Sequence, residues 1–258
     1  MNDLIINPAK EKGKIVTFLQ NTFQNQGIDH AVIGLSGGID STVSFFLLKE
    51  VLPPENIFIA HLYYFNSVFT PVETVVKEAK IPQENIYHIS IKKSVDEILK
   101  LQNISSLETE RMRIGNIAAR MRMILLFDLA KKHNALVVGT ENKSENLLGY
   151  FTRFGDQASD IEPIEHLYKT QVLQLARYLG VPDALINQTP TAGLWDGQTD
   201  EGEFGFTYAE ADQVLYLSLE KKLTDEEIEK QGFKNAKKIL GWRQKNLFKH
   251  EAPYVIKN

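Results

Sequence analysis

The chain has 258 residues, of which 43% are hydrophobic and 24% are charged, and its net charge is −4. This composition is typical of an ordinary globular protein: the acidic excess disfavours nucleic acid as the main partner, and no apolar run is long enough to cross a bilayer. The sequence contains no cysteine, which excludes disulfides, thiolate-bound zinc, iron–sulfur clusters and every mechanism that uses a cysteine nucleophile.

Short apolar runs alternate with segments of helical periodicity along the first half of the chain. The pattern predicts strands at residues 31–35, 57–62, 86–91 and 135–139. It predicts helices at about residues 15–23, 41–51, 72–80 and 108–132. Such alternation favours an α/β fold with a doubly wound parallel sheet flanked by helices, whose ligands bind at the carboxyl ends of the strands.

The second half of the chain contains two long polar stretches, at residues 140–163 and 187–206. Unstructured segments of that length in a compact domain usually serve function, so we expect two mobile loops that act as lids. Helical periods at 169–179, 207–221 and 234–247 complete the pattern. No repeat or linker divides the chain, and the sequence therefore predicts one domain over residues 1–258.

A glycine-rich turn, Ser36-Gly37-Gly38-Ile39-Asp40-Ser41, follows the first strand and opens a helix. Paired glycines let backbone N–H groups face inward, and the helix N-terminus adds partial positive charge, which together make a cradle for phosphate or pyrophosphate. The turn lacks the lysine of a Walker A loop and does not match the dinucleotide pattern G-x-G-x-x-G. Asp40 would repel bare phosphate, so we expect it to hold Mg²⁺ between the phosphates. The alternative is an ordinary turn in which Asp40 and Ser41 only cap the helix.

The turn resembles the signature of the PP-loop, or N-type, ATP pyrophosphatases, which split ATP between its α and β phosphates. Further segments, in matching order over roughly residues 13–250, are similar to the NAD synthetase family within that group. These segments are residues 115–123, 139–145, 149–156 with Asp160, 163–171, and 190–195 with 198–201.

The resemblance implies an adenine nucleotide alpha hydrolase-like fold and an ammonia-dependent ligase. In that reaction the carboxylate of deamido-NAD attacks the α-phosphorus of ATP and releases pyrophosphate. Ammonia then displaces AMP from the acyl adenylate and gives NAD. The resemblance further implies Mg²⁺ as cofactor, ATP as co-substrate, small-molecule substrates, a cytoplasmic homodimer, and neither nucleic acid nor membrane as partner. This chemistry needs no side-chain nucleophile, which agrees with the absence of cysteine.

For the ATP side of the reaction, the resemblance implies a nucleotide site built on the glycine turn and three residues elsewhere. These ATP-binding residues are Gly34, Leu35, Ser36, Gly37, Gly38, Ile39, Asp40, Ser41, Thr140, Lys169 and Thr191. Asp40 and Glu145 are the implied metal ligands, and two carboxylates suffice because Mg²⁺ takes its other ligands from phosphate and water. Asp40, Asp156 and Lys169 are the implied catalytic residues, with Asp156 placed to hold ammonium and accept its proton.

For the second substrate, the resemblance implies a deamido-NAD site formed by Asn116, Arg120, Arg153, Asp160, Lys249 and His250. Asn116 and Arg120 share one stripe of the long helix, where a guanidinium can bind phosphate or carboxylate at the edge of a cleft. Arg122 lies on roughly the opposite face, and we expect it in a salt bridge at the surface or at a subunit interface. The resemblance assigns no adenine contacts to the aromatic segment 63–69, because that segment departs from the family pattern.

Two other functions compete with this interpretation. A different PP-loop ligase could adenylate another acceptor such as a nucleotide or a tRNA base, but an enzyme acting on tRNA is expected to carry a basic excess. A nucleotide-binding sensor could keep the cradle and lack turnover, although the presence of both Asp40 and Glu145 argues against it. Glutamine-using relatives carry an additional glutaminase domain for which this length leaves no room, so we expect free ammonia to be the nitrogen source.

Overall fold

In the described part of the chain, four parallel strands form one sheet at the centre of the structure, with the order β3-β2-β1-β4. The structure is a computed structural model that describes residues 3–65, 70–104, 109–191, 197–251 and 253–256. The strands are β1 (Ala31–Gly34), β2 (Ile57–Tyr63), β3 (Ile86–Ser90) and β4 (Leu136–Val138). In this register Ala31 lies opposite Ile57 on one side and opposite Leu136 on the other.

Helices cover both faces of this sheet and extend beyond it. They are α1 (Pro8–Gln26), α2 (Ile39–Leu48), α3 (Thr70–Glu78), α4 (Lys92–Leu101), α5 (Arg111–His133), α6 (Lys143–Leu148), α7 (Lys169–Leu179), α8 (Asp183–Ile186), α9 (Asp200–Phe204), α10 (Tyr208–Leu219), α11 (Asp225–Lys230) and α12 (Ala236–Asn246). Single 3₁₀ turns occupy Pro54–Asn56, Gln83–Asn85 and Leu247–His250. The predicted α/β class, a parallel sheet flanked by helices, is confirmed.

The order of the strands creates a switch point beside β1. From β1 the chain moves outward through β2 to β3, and it then returns to the other side of β1 as β4. Ligands of open α/β sheets bind where the strand order reverses, at the carboxyl ends of the strands. The glycine turn follows β1 and Thr140 follows β4, so both lie at this position.

Two apolar cores sandwich the sheet, because neighbouring residues of a strand point to opposite faces. Ile33 of β1 packs into a core with residues of α1, α2 and α7, whereas the preceding Val32 packs into a core with α4 and α5. Both side chains are fully buried. Burial on both faces explains why the strands read as continuous apolar runs in the sequence.

A third core joins the C-terminal helices α9 to α12 to the short helix α6. Phe204 lies at its centre, with ring centroids 4.5 Å from Tyr150 and 5.2 Å from Trp242. Leu148 of α6 is fully buried in the same core. The C-terminal helices are thereby fixed against the part of the chain that follows β4.

The two polar stretches contain helices that the sequence analysis did not predict. Helix α6 lies within 140–163 and α9 within 187–206, and the sequence pattern did not predict α4, α8 or α11 either. Both α6 and α9 are short and depend on side-chain caps: Asn142 accepts a hydrogen bond from the Glu145 backbone N–H, and Thr199 accepts one from Gly202. The mobility of these stretches stays a prediction. Among the described residues, no helix has the length and apolar character needed to cross a membrane.

Candidate active site

A cleft of about 1270 Å³ opens at the carboxyl ends of β1 and β4, and most of the predicted site residues line it. Those residues are Gly34, Leu35, Ser36, Gly37, Gly38, Ile39, Asp40, Ser41, Asn116, Arg120, Thr140, Glu145, Arg153, Asp156, Lys169, Thr191 and Lys249. Residues separated by more than 200 positions in the chain therefore meet around one cavity. Asp160 and His250 lie outside its lining.

The glycine turn forms one wall of this cavity. Gly37 has a φ of +91°, a backbone conformation that glycine adopts without steric cost. The Ser36 hydroxyl accepts a hydrogen bond from the Gly38 N–H at 3.2 Å and lies 3.2 Å from the Ser41 hydroxyl. Helix α2 begins at Ile39, and the first N–H groups of a helix have no partner within it. The turn thus supplies backbone donors and two hydroxyl groups to the cavity.

Lys169, at the start of α7, is the central cation of the cavity and is only 3% exposed. Its ammonium pairs with Asp40 of α2 and lies 3.4 Å from the Glu145 carboxylate of α6. The second carboxylate oxygen of Asp40 accepts a hydrogen bond from the Asn142 side-chain amide at 3.0 Å. Three elements that follow different strands or loops therefore converge on one ion-paired cluster.

Electrostatics keep the Lys169 ammonium charged. Burial opposes its charge, but the carboxylates of Asp40 and Glu145 outweigh that effect and raise the pKa of Lys169 above its ordinary value. Burial also raises the pKa of Glu145, and the nearby Asp40 adds to this, although Lys169 acts in the opposite direction. Asp200 contributes negative potential to both groups. Acidic groups thus outnumber the single ammonium, which leaves the cluster favourable for a further cation.

Asp200 and two tyrosines extend this cluster, and the sequence analysis gave them no role. The Asp200 carboxylate accepts hydrogen bonds from the hydroxyls of Tyr208 at 3.1 Å and Tyr150 at 3.3 Å. Tyr150 also donates to Glu203 at 2.9 Å. Residues 198–201 belong to the family resemblance, but the resemblance assigns no function to Asp200. The sequence therefore does not indicate that the Asp200 carboxylate lines the cavity.

The predicted deamido-NAD residues of α5 contact the segment that follows α6. The Arg120 guanidinium donates two hydrogen bonds to the Arg153 carbonyl, at 3.2 and 3.3 Å. Asn116 accepts a hydrogen bond from the Thr152 hydroxyl at 2.8 Å. The Arg153 guanidinium lies over the ring of Phe248, 5.7 Å from its centroid. These contacts assemble two arginines and an amide at one side of the cavity.

Arg122 corrects an expectation from the sequence. It lines the cavity and its Nε donates to the Leu62 carbonyl at 2.9 Å, at the end of β2. It makes no ion pair with any carboxylate among the described residues. The helical wheel placed it opposite Arg120, but the long side chain reaches back to the carboxyl end of the sheet.

Asp156 and Lys249 also line the cavity. The Asp156 carboxylate accepts a hydrogen bond from the Thr152 N–H at 2.7 Å, and desolvation raises its pKa. The Lys249 ammonium donates to the carbonyls of Gly149 at 2.6 Å and Phe151 at 2.9 Å. Burial lowers the pKa of Lys249. The cavity therefore contains a carboxyl group, Asp156, that takes up a proton more readily than an exposed aspartate.

The two predicted residues outside the cavity have other partners. The Asp160 carboxylate accepts a hydrogen bond from the Val137 N–H at 2.8 Å and so lies along the edge of β4. The His250 ring packs edge-on against Phe151, with centroids 5.3 Å apart. Neither lines the cavity, although His250 directly follows Lys249 in the chain.

An aromatic wall follows β2. Tyr63, Tyr64 and Phe65 line the cavity, and Tyr63 stacks on His88 with ring centroids 4.6 Å apart. His61 is buried and its Nδ1 lies 2.8 Å from the Leu35 carbonyl, which ties this wall to the glycine turn. Phe69 and residues 192–195, which also figured in the sequence analysis, lie outside the described residues.

The buried Glu141 and the partly buried Glu162 lie near the end of β4, outside the cavity lining. Burial raises the pKa of Glu141 to about 10 and that of Glu162 to about 8. Glu162 accepts hydrogen bonds from the Ser159 hydroxyl at 2.7 Å and the Glu141 N–H at 3.1 Å. One carboxyl oxygen of Glu141 is buried without a hydrogen-bond partner. At neutral pH Glu141 is therefore a neutral acid.

Comparison with known proteins gives consistent matches over nearly the whole chain. The family described as NAD synthase matches residues 12–253. The chain is 41% identical to an NH(3)-dependent NAD(+) synthetase of Fusobacterium nucleatum over 262 residues, covering 100% of this chain and 99% of that protein.

Solved structures agree with this result. An NMN synthetase from Francisella tularensis superimposes with a TM-score of 0.83 at 33% identity, covering 98% of this chain and all of that one. An NH3-dependent NAD synthetase from Campylobacter jejuni, in complex with the nitrate ion, superimposes with a TM-score of 0.78 at 31% identity, with the same coverage.

The raised pKa of Glu141 predicts a pH-dependent effect of Glu141→Gln on stability. The folded chain keeps the Glu141 proton up to about pH 10, whereas the unfolded chain loses it near pH 4.5. This group therefore reduces the free energy of unfolding as pH rises between those values. We expect the melting temperature of the variant, relative to the native chain, to increase steadily from about pH 5 to about pH 9. Glu226→Gln, at an exposed position of α11, is the control, and a pH-independent difference for Glu141→Gln would contradict the assignment.

Proposed function

The chain belongs to the NAD synthase family and is an ammonia-dependent ligase that forms NAD, and we propose that the cavity at the switch point carries out this reaction. Deamido-NAD, ATP and ammonia are converted to NAD, AMP and pyrophosphate through an acyl adenylate. The residues that line the cavity extend from the glycine turn to Lys249, so we also propose that the chain acts as one domain. We further propose that it acts in the cytoplasm, as the family resemblance implies.

The observation that carries the proposal is the pairing of the Lys169 ammonium with Asp40 beside the glycine turn. Adenylation requires pyrophosphate to leave the α-phosphorus, and donors fixed before reaction stabilise the charge that develops on it. The turn offers backbone N–H groups and the hydroxyls of Ser36 and Ser41. Lys169 adds a cation that its carboxylate partners hold in place. Thr140 and Thr191 line the same cavity and complete the proposed nucleotide site.

The residues present fit a magnesium ion. Asp40 and Glu145 offer the hard carboxylate oxygens that Mg²⁺ prefers, and the acidic excess of their cluster favours a further cation. Among the described residues no group of three acids or histidines has the arrangement of a complete metal site. Asp40 and Glu145 would therefore hold the ion together with phosphate oxygens and water. A bound Mg²⁺ would supply positive charge to the phosphates of ATP.

At the other side of the cavity, we assign binding of deamido-NAD to Asn116, Arg120, Arg153 and Lys249. Arg120 presents a planar guanidinium that can form bidentate hydrogen bonds with phosphate or carboxylate. Asp156 is proposed to hold ammonium, because its carboxyl group lies in the cavity and burial raises its pKa above the ordinary value. It can then accept the proton that ammonium loses before ammonia attacks the acyl adenylate.

We propose that two chains associate through α5 and that the dinucleotide site is completed across their interface. Helix α5 exposes large apolar side chains, including Met112 and Ile124, at 52% and 53% exposure. Exposed apolar surface beside a binding cavity is a common feature of protein interfaces. In such a dimer, Asp160 and His250, which lie outside the cavity of the single chain, could contact the substrate.

The dimer is tested by sedimentation equilibrium on the native chain and on Ile124→Glu. We expect twice the mass of one chain for the native protein and a shift toward the single mass for the variant, because the new charge would be buried at the interface. Glu226→Gln serves as the surface control. A native protein that sediments with the mass of one chain would contradict the proposal.

The reaction is tested with purified protein, ATP, Mg²⁺, ammonium and deamido-NAD. We expect equal amounts of NAD, AMP and pyrophosphate, since one acyl adenylate gives one of each. The acid mononucleotide that corresponds to NMN is the comparison substrate, because one structural neighbour is an NMN synthetase. We expect kcat/KM to favour the dinucleotide at least about tenfold, roughly 1.4 kcal/mol of discrimination. Release of ADP would reject the assignment, and so would formation of AMP and pyrophosphate when neither deamido-NAD nor the mononucleotide is present.

The role of Asp40 is tested by Asp40→Asn, with Glu226→Gln as the matched change of a carboxylate to an amide at an exposed site. The amide removes the charge that would hold magnesium and that pairs with Lys169. We expect pyrophosphate release to fall by at least about 100-fold while the circular dichroism spectrum stays native. Pyrophosphate release at the native rate would remove Asp40 from the proposed site.

A further inference from the structure

Asp212 of α10 is fully buried and lies outside the cavity lining, yet its carboxylate bonds to α6 and α7, two of the three helices that carry the ion-paired cluster. One oxygen accepts a hydrogen bond from the Ser144 hydroxyl of α6 at 2.5 Å. The other oxygen accepts hydrogen bonds from the N–H and the hydroxyl of Thr170 in α7, at 2.9 and 2.7 Å. Both oxygens are thus engaged.

The contacted residues are direct neighbours of the proposed site residues. Ser144 precedes Glu145, and Thr170 follows Lys169. The Ser144 hydroxyl also accepts a hydrogen bond from the Lys169 N–H at 2.8 Å. A continuous path therefore runs from the Lys169 backbone through Ser144 to Asp212. This one carboxylate fixes the first turns of α6 and α7 relative to each other.

The physical chemistry of this contact favours a well-defined geometry. The first N–H groups of a helix have no partner within it, and a carboxylate near a helix N-terminus is stabilised by the helix dipole. Hydrogen bonds to a carboxylate are shorter and stronger than those between neutral groups. Burying a carboxylate is costly unless it is fully hydrogen-bonded, so the network tolerates little displacement of Ser144 or Thr170.

We propose that Asp212 is a positioning residue for the ligase reaction, which holds Lys169 of α7 and Glu145 of α6 in register with Asp40. The inference rests on the proposed role of Lys169 in binding the phosphates of ATP. Because α10 belongs to the C-terminal core, Asp212 also connects that core to the nucleotide site. A displacement of about 1 Å at a reacting group can reduce rates by up to about 100-fold, so a buried residue with no substrate contact can control the reaction.

The test compares Asp212→Asn, Lys169→Ala and the double variant by their affinity for ATP and by their KM values. An asparagine at 212 cannot accept hydrogen bonds at both positions, because its amide nitrogen only donates. We expect ATP binding to weaken about tenfold in Asp212→Asn and roughly 100-fold in Lys169→Ala. The loss in the double variant should be smaller than the sum of the two single losses, since Asp212 acts in part through Lys169. The KM for deamido-NAD should stay within about twofold of native in Asp212→Asn.

Val214→Ala is the matched control, because Val214 is also fully buried on α10 but contacts the C-terminal core. It should lower the melting temperature without changing the KM for ATP. If Asp212→Asn does not fold, Ser144→Ala tests the same path and should weaken ATP binding in the same direction.

Three results would overturn the inference. The first is additive losses of ATP affinity in the double variant, and the second is an Asp212→Asn enzyme whose kinetics match those of Val214→Ala. The third is native ATP affinity in Lys169→Ala. That third result would also remove the proposed role of Lys169, so it is distinguishable from the first two, which leave that role intact.

Discussion

The structure of the site depends on one interaction, the buried ion pairing of the Lys169 ammonium with the carboxylates of Asp40 and Glu145. A charged group inside a protein is stable only when its partners are fixed, so the elements carrying these three residues must be positioned accurately. The acidic excess of the cluster then leaves room for a further cation, and the adjacent glycine turn offers donors for an anion. The proposed magnesium ion and the phosphates of ATP would satisfy both requirements.

The sheet topology explains why this cluster forms where it does. The reversal of strand order beside β1 brings the loops after β1 and β4 to one edge, so Asp40 and the Asn142–Glu145 turn become neighbours. Lys169, the first residue of α7, lies between these two segments and pairs with Asp40 and Glu145. The C-terminal helices then cover this edge and contribute Asp200 and Tyr208 to the cluster. The same cavity is also lined by Arg120, Arg153 and Asp156, so it offers groups for the second substrate that the proposed reaction requires.

The sequence predicts the parallel sheet and its main helices because apolar periodicity is a local signal. The convergence of Asp40 and Lys169 is predicted by the family resemblance, which assigns both residues to one ATP site. The sequence does not predict α6, which has six residues and a single cap, although Asn142 with a glutamate three positions later is a capping signal that would have indicated it. The sequence places Arg122 in a salt bridge at the surface or at a subunit interface, whereas its side chain lines the cavity. A helical wheel gives the direction of the Cβ atom and not the reach of a long side chain. Asp200 lies in a family segment that names no role for it, and Asp212 carries no motif and has partners 68 and 42 positions away, so only the tertiary structure reveals what the two carboxylates contact.

The most direct test of this account is a crystal structure of the protein with Mg²⁺ and an ATP analogue that cannot be cleaved between its α and β phosphates. We expect the β and γ phosphates on the backbone N–H groups of residues 37–41, the Lys169 ammonium in contact with a phosphate oxygen, and the metal ion bound by Asp40 and Glu145. A nucleotide whose phosphates lie elsewhere in the cavity, with Lys169 still paired only to its carboxylates, would contradict it.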